Sequence, residues 1–170
     1  MSFYIKDTLF NLSDFIGDDT ISKRFQNASM AIIRLSPVDY HRFHFPVTCF
    51  PGKSRLINGS YYSVSPLALR KNTAIFNQNK REICLLSSDT HSDVLMIEVG
   101  ATFVGGIRQT YKADRLTEKG EEKGYFKFGG STVVLLFQEN SIQFDNDLLE
   151  NTHKGFETTI RMGESIARFI

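Results

Sequence analysis

Three runs constrain the fold more than anything else in the chain: EICLLSS (82–88), DVLMIEV (93–99) and TVVLLF (132–137). Each is short, nearly continuous in apolar residues and bounded by Gly, Ser or Asp. A helix of that length would be marginal, and a surface strand would alternate with polar residues. They read as buried strands. SMAIIRLS (29–36) is a fourth strand, and CFPGKSRL (49–56) reads as two short extended runs around a Pro-Gly turn. Gly100, Gly105 and Gly106 interrupt the stretch after residue 99, which suits a hairpin or bulge. YFKF reads as a further extended segment, joined to TVVLLF at Gly129 and Gly130.

Helical signals are sparse. NLSDFIGDD (11–19) reads as a short helix ended near Gly17. PVDYHRFHFP, bracketed by Pro37 and Pro46, reads as a turn or a single helical turn. RLTEKGEEKG (115–124) is a solvated loop, and the tail TTIRMGESIARFI fits helix or strand equally. The expected fold class is mainly β (α+β): an antiparallel sandwich or barrel-like core with a few short helices. At 170 residues the chain reads as one domain, residues 1–170.

Composition narrows the function. A net charge of +1 argues against a general electrostatic nucleic-acid binder. Cys49 and Cys84 have no CxxC spacing, which argues against a zinc site or a redox pair. The N-terminus lacks a signal-peptide core, and no apolar run approaches the ~18 residues of a membrane span.

The junction FGGST (128–132) carries the most chemistry. Gly129 and Gly130 admit backbone angles that other residues avoid, so the hydroxyl of Ser131 can approach the carbonyl of Gly130. Attack there turns an amide into an ester, given a base for the proton and donors for the oxyanion. Elimination then cuts the chain, and hydrolysis leaves a pyruvoyl ketone at position 131. Such a ketone captures amines and draws electrons from a neighbouring carbon. Alone, the tetrapeptide is a weak signal, and a bulge feeding a buried strand explains it equally well. His41 and His44 in DYHRFH are the candidate proton handlers. In a helical turn they share a face; in a strand they oppose. Either is otherwise a turn or core histidine. His91 and His153 fall in expected loops and take no role.

PVDYHRFHFPV, VGATFVGGI and FGGSTVVLLF, in this order and spacing, resemble the phosphatidylserine decarboxylase family. GSYYSVSPLAL and RMGESI extend the likeness from about Asp7 to Ile166. The resemblance implies a pyruvoyl-dependent lyase, made by self-cleavage between Gly130 and Ser131 into residues 1–130 and 131–170. It would convert phosphatidylserine to phosphatidylethanolamine as a peripheral protein at a membrane surface, on the cytoplasmic face. The same resemblance makes His44 the base for cleavage, His41 the residue of decarboxylation, and Ser63 a headgroup contact. It implies as partners the two cleaved chains, and is compatible with a homo-oligomer. Phe43, Phe45, Tyr61, Tyr62 and Leu67 are candidates for an apolar rim, core packing being the alternative. The family carries an upstream Asp-Gly that orients the cleavage histidine, and this sequence has no Asp-Gly. The chain therefore reads as N-terminally incomplete. The alternative function is a non-processing family member that binds phospholipid without catalysis.

Overall fold

The computed structural model describes residues 2–5, 8–64, 75–101, 106–127 and 131–170. Strands β1 (Ser2–Ile5) and β2 (Thr8–Asn11) form an antiparallel hairpin. Helix α1 (Leu12–Ile16) follows, with the Asn11 side chain accepting from Ser13 N and Asp14 N, and Gly17 closing it at φ 60°. That left-handed angle is why a glycine ends the helix. Helix α2 (Asp19–Arg24) is capped in the same way by Asp18 on Ile21 N.

The apolar runs fold as read. Strands β3 (Ser29–Leu35), β7 (Arg81–Ser87), β8 (Val94–Val99) and β11 (Ser131–Phe137) join in the order β3-β11-β8-β7. Strands β5 (Phe50–Pro51) and β6 (Arg55–Ile57) both pair with β7. Every pairing is antiparallel. All seven residues of β11 are buried, which explains an unbroken apolar run where a half-exposed strand would alternate. Burying Val134, Leu135, Leu136 and Phe137 is worth about 1.5–3 kcal/mol each.

A second sheet, β4 (Arg42–His44), β10 (Glu122–Lys127) and β9 (Gly106–Gln109), lies in the order β4-β10-β9. PVDYHRFHFP thus holds a short strand rather than a helical turn. Its ladder partner, Tyr125, comes from a distant part of the chain, so nothing local announces it. Phe43, Ile107 and Phe126 from this sheet pack with Cys84, Met96, Val133 and Leu135 of the large one. On the large sheet's other face, Leu12, Phe15, Ile16 and Phe25 pack against Ile97, Val134 and Leu136. The result is a mainly β molecule in three layers: short helices, large sheet, small sheet.

Helix α3 (Ile75–Gln78) leads into β7. Strands β12 (Ile142–Phe144) and β13 (Ala167–Phe169) pair near the C-terminus, with α4 (Asn146–His153) between them. Arg81 is buried without a carboxylate partner among the described residues. It donates to the carbonyls of Asp14, Phe15, Asn77 and Asn79, tying the end of α1 to α3. Burial, with Arg55 nearby, pushes its guanidinium down to about 10, still charged at neutral pH.

Candidate functional site at the head of the central strand

Ser131 opens β11 and is fully buried. It pairs with Leu35 of β3 on one side, while Thr132 pairs with Val99 of β8 on the other. Ser131 shares the inner face with Val133, toward the small sheet. From that sheet's edge His41 reaches in, placing Nδ1 3.2 Å from Ser131 Oγ. Phe126 N donates to the His41 carbonyl and fixes the backbone there. His41 Nε2 is buried with no partner among the described residues. A buried ring nitrogen in that state is costly, and a carboxylate or other acceptor placed there would hold the ring. Asp39, two residues earlier, sits in the turn. The Ser36 N–H holds its carboxyl below the usual range, with Arg34 and His41 adding smaller effects.

The second histidine faces away. Within β4, Phe43 points into the core, so Arg42 and His44 point outward. His44 Nε2 lies 3.2 Å from the Tyr40 hydroxyl, its Nδ1 lies 2.9 Å from the Gly120 carbonyl, and its ring stacks on Tyr40. The resemblance made His44 the group that serves Ser131; in this structure His41 holds that contact. The physical reason is the strand, which sends side chains three apart to opposite faces.

Ser63 lies in the segment across β8 from Ser131, and is exposed. That segment is held by Asn79, fully buried, which donates to the carbonyls of Tyr62 and Gly100 and accepts from Tyr62 N. Gly100 directly follows the Val99 partner of Thr132, so Asn79 anchors the Ser63 segment near the head of β11. Gly130 and Leu67 lie outside the described residues. Phe43 and Phe45 are core residues, whereas Tyr61 and Tyr62 are exposed.

Beneath the site lies a feature that sequence reading missed. Glu98 pairs in register with Val133 and therefore points between the sheets one step below Ser131. Its Oε1 accepts from Lys123 Nζ at 2.9 Å, and both side chains are fully buried. Gln109 accepts from Lys123 and donates to Glu98 and Glu82. Burial pushes the Glu98 carboxyl up, with Lys123 pulling the other way. In sequence, Lys123 sits inside GEEKG and looks like one more solvated charge. Only the irregular pairing between Glu122 and Gly124 turns it inward.

A shallow cavity of about 220 Å³ opens beside His41, lined by Tyr40, His41, Arg42, Tyr125 and Phe126. A buried serine hydroxyl with an imidazole in contact with it suits nucleophilic attack by the serine. A family model described as phosphatidylserine decarboxylase matches residues 1–168. The chain belongs to this family. It is 48% identical over 166 residues to the phosphatidylserine decarboxylase proenzyme of Chlamydia pneumoniae, covering 98% of this chain and 55% of the relative. The proenzyme of Fusobacterium nucleatum is 47% identical over 162 residues, covering 95% and 54%. That of Clostridium perfringens is 46% identical over 162 residues, covering 95% and 55%. This decarboxylase-family chain thus spans about half the length of the curated relatives it matches.

Proposed function

We propose that the protein is a pyruvoyl-dependent phosphatidylserine decarboxylase that matures by cutting itself between Gly130 and Ser131. The observation that carries this reading is the His41–Ser131 contact at the head of a buried strand in a chain of this family. Ser131 Oγ attacks the Gly130 carbonyl carbon, and His41 takes the hydroxyl proton. The amide nitrogen leaves protonated, giving an ester. Removal of the Ser131 α-proton expels the Gly130 carboxylate and leaves dehydroalanine, which water converts to the ketone with loss of ammonia. The products are residues 1–130 and 131–170, a single domain in two chains.

Position 131 fits such a group, being sheltered from bulk water and flanked by His41. When formed, the ketone supplies an electron sink for loss of CO₂ from an amine-bearing carboxylate. His41 stays beside position 131 through both stages and can return a proton to the carbon that has lost CO₂. Asn79 holds the Ser63 segment where a serine headgroup could be met. The substrate is a bilayer lipid, so the protein works as a peripheral membrane protein. No described helix is long and apolar enough to cross a membrane.

Ser131→Ala remains one chain of 19.4 kDa on a denaturing gel, because no nucleophile is left. His41→Ala slows cleavage by at least about 10²-fold, the usual contribution of a general base. His44→Ala retains most of it. The opposite pattern, with His41→Ala cleaving normally and His44→Ala blocked, would return the base role to His44. An unaltered chain that persists uncut and releases no CO₂, yet floats with vesicles, would establish the non-processing alternative.

A further inference from the structure

Lys80 stands immediately before β7, half-buried, and among the described residues no carboxylate lies within ion-pair distance of it. Its ammonium lies 5.9 Å from the Tyr61 ring centroid instead. An aromatic ring attracts a cation but carries no net charge to neutralise it. The backbone at Lys80 is tied to the head of β11. Thr132 pairs with Val99, so the antiparallel register brings Gly100 beside Ser131. Gly100 N donates to the Lys80 carbonyl, and Lys80 N donates to the Ser60 carbonyl. Across the head the order is therefore Ser131, Gly100, Lys80, which puts the Lys80 backbone two strand spacings, about 10 Å, from Ser131. Gly100 has no side chain, and the Tyr61 ring fills the space beside it: a β-carbon there would lie 3.4 Å from a ring carbon. The ring is 40% exposed and is part of neither core cluster. Tyr62, held at its N–H and its carbonyl by the buried Asn79, fixes the backbone that carries this ring.

We propose that Lys80, with the Tyr61 ring beside it, is the subsite for the phosphodiester of the substrate headgroup, and that it makes the protein select a phosphorylated serine over free serine. The inference rests on the decarboxylase reading, because it takes position 131 as the point where the substrate amine is held. With the amine there, the phosphodiester trails by the two serine carbons and the ester oxygen. The Lys80 side chain spans what is left of the separation of about 10 Å. The substrate carboxylate is the poorer occupant. It leaves as CO₂, and a cation resting on it would stabilise the ground state more than the transition state. The phosphodiester keeps its charge throughout. A cation on it stabilises both states equally, so its contribution falls on KM and not on kcat.

The first measurement needs no ketone. Uncut Ser131→Ala protein is titrated with glycerophosphoserine and, separately, with serine, and binding is read from the line broadening of the ligand in NMR. Both ligands carry the amine and the carboxylate, so the difference between them isolates the phosphodiester. Glycerophosphoserine should bind at least about fivefold tighter than serine. Adding Lys80→Gln should abolish that preference, and Lys80→Arg should keep most of it. Lys23→Gln, on α2, should change nothing. In processed protein, Lys80→Gln should raise KM for phosphatidylserine about fivefold and leave kcat within about twofold. Equal binding of the two ligands, or a preference that survives Lys80→Gln, would overturn the subsite. So would full competition by inorganic phosphate at the same concentration, which would mark a site for free phosphate. Failure of the decarboxylase reading looks different: the Lys80-dependent preference would persist in the titration, while borohydride would trap no amine at position 131 of processed protein.

Discussion

Lys123 shows what one residue contributes when its charge has no access to water. Its ammonium is held by Glu98 and Gln109 and lies 5.5 and 5.1 Å from the ring centroids of Phe43 and Tyr111. Two buried charges repay their desolvation only when both are present and fully hydrogen-bonded. Lys123→Ala should therefore cost about 3–5 kcal/mol, because Glu98 is left buried and alone. Lys123→Met combined with Glu98→Gln should recover more than half of that loss, since no charge remains to strand. Urea unfolding of the three proteins measures both quantities. If the single and double variants were equally destabilised, packing rather than charge would be the cause. The cysteines present the neutral version of the same burial. Cys49 and Cys84 are buried as free thiols, and burial pushes the Cys49 thiol up to about 12.

Strand β10 carries the strongest constraint among the elements. At Gly124 a β-carbon would lie 2.1 Å from the Arg108 carbonyl and 2.8 Å from the Phe43 ring. The first contact is with backbone, so β9 and β10 must separate to accept it. Gly124→Ala should destabilise the protein by about 1–3 kcal/mol. Because Phe43 sits between His41 and His44, it should also slow self-cleavage more than an equally destabilising change remote from the small sheet. Cleavage time courses paired with urea melts make the comparison. Much of this architecture was legible in the sequence. Strands β3, β7, β8 and β11 announced themselves because burial on both faces removes polar alternation, and α1 because Asn11 and Gly17 mark its ends. Strand β4 did not, since three residues inside a proline-bracketed segment carry no period. Helix α4 was missed because it has no buried residue and hence no apolar stripe. Residue type alone singled out Ser131 and the histidine pair, and the structure brings one of the two rings to Ser131. Which ring faces Ser131 was not legible, because that depends on a strand pairing residues 42 and 125, far apart in the chain.

For the whole molecule, the position of β11 decides what self-cleavage does to the fold. The proposed cut falls at its head, yet β11 pairs along its length with β3 on one side and β8 on the other. Both neighbours belong to the larger product. Processed protein should therefore run as two bands on a denaturing gel but elute as one body without denaturant, at the same volume as the uncut Ser131→Ala protein. Separation of the bands in native gel filtration would show that the pieces are held by something weaker than this sheet. Mixing isotopically light and heavy processed protein should yield no hybrid pairs over days, because releasing the smaller product means stripping β11 from between β3 and β8. Each molecule would thus keep for its lifetime the partner it was born with, and a defective half could not be traded for a sound one.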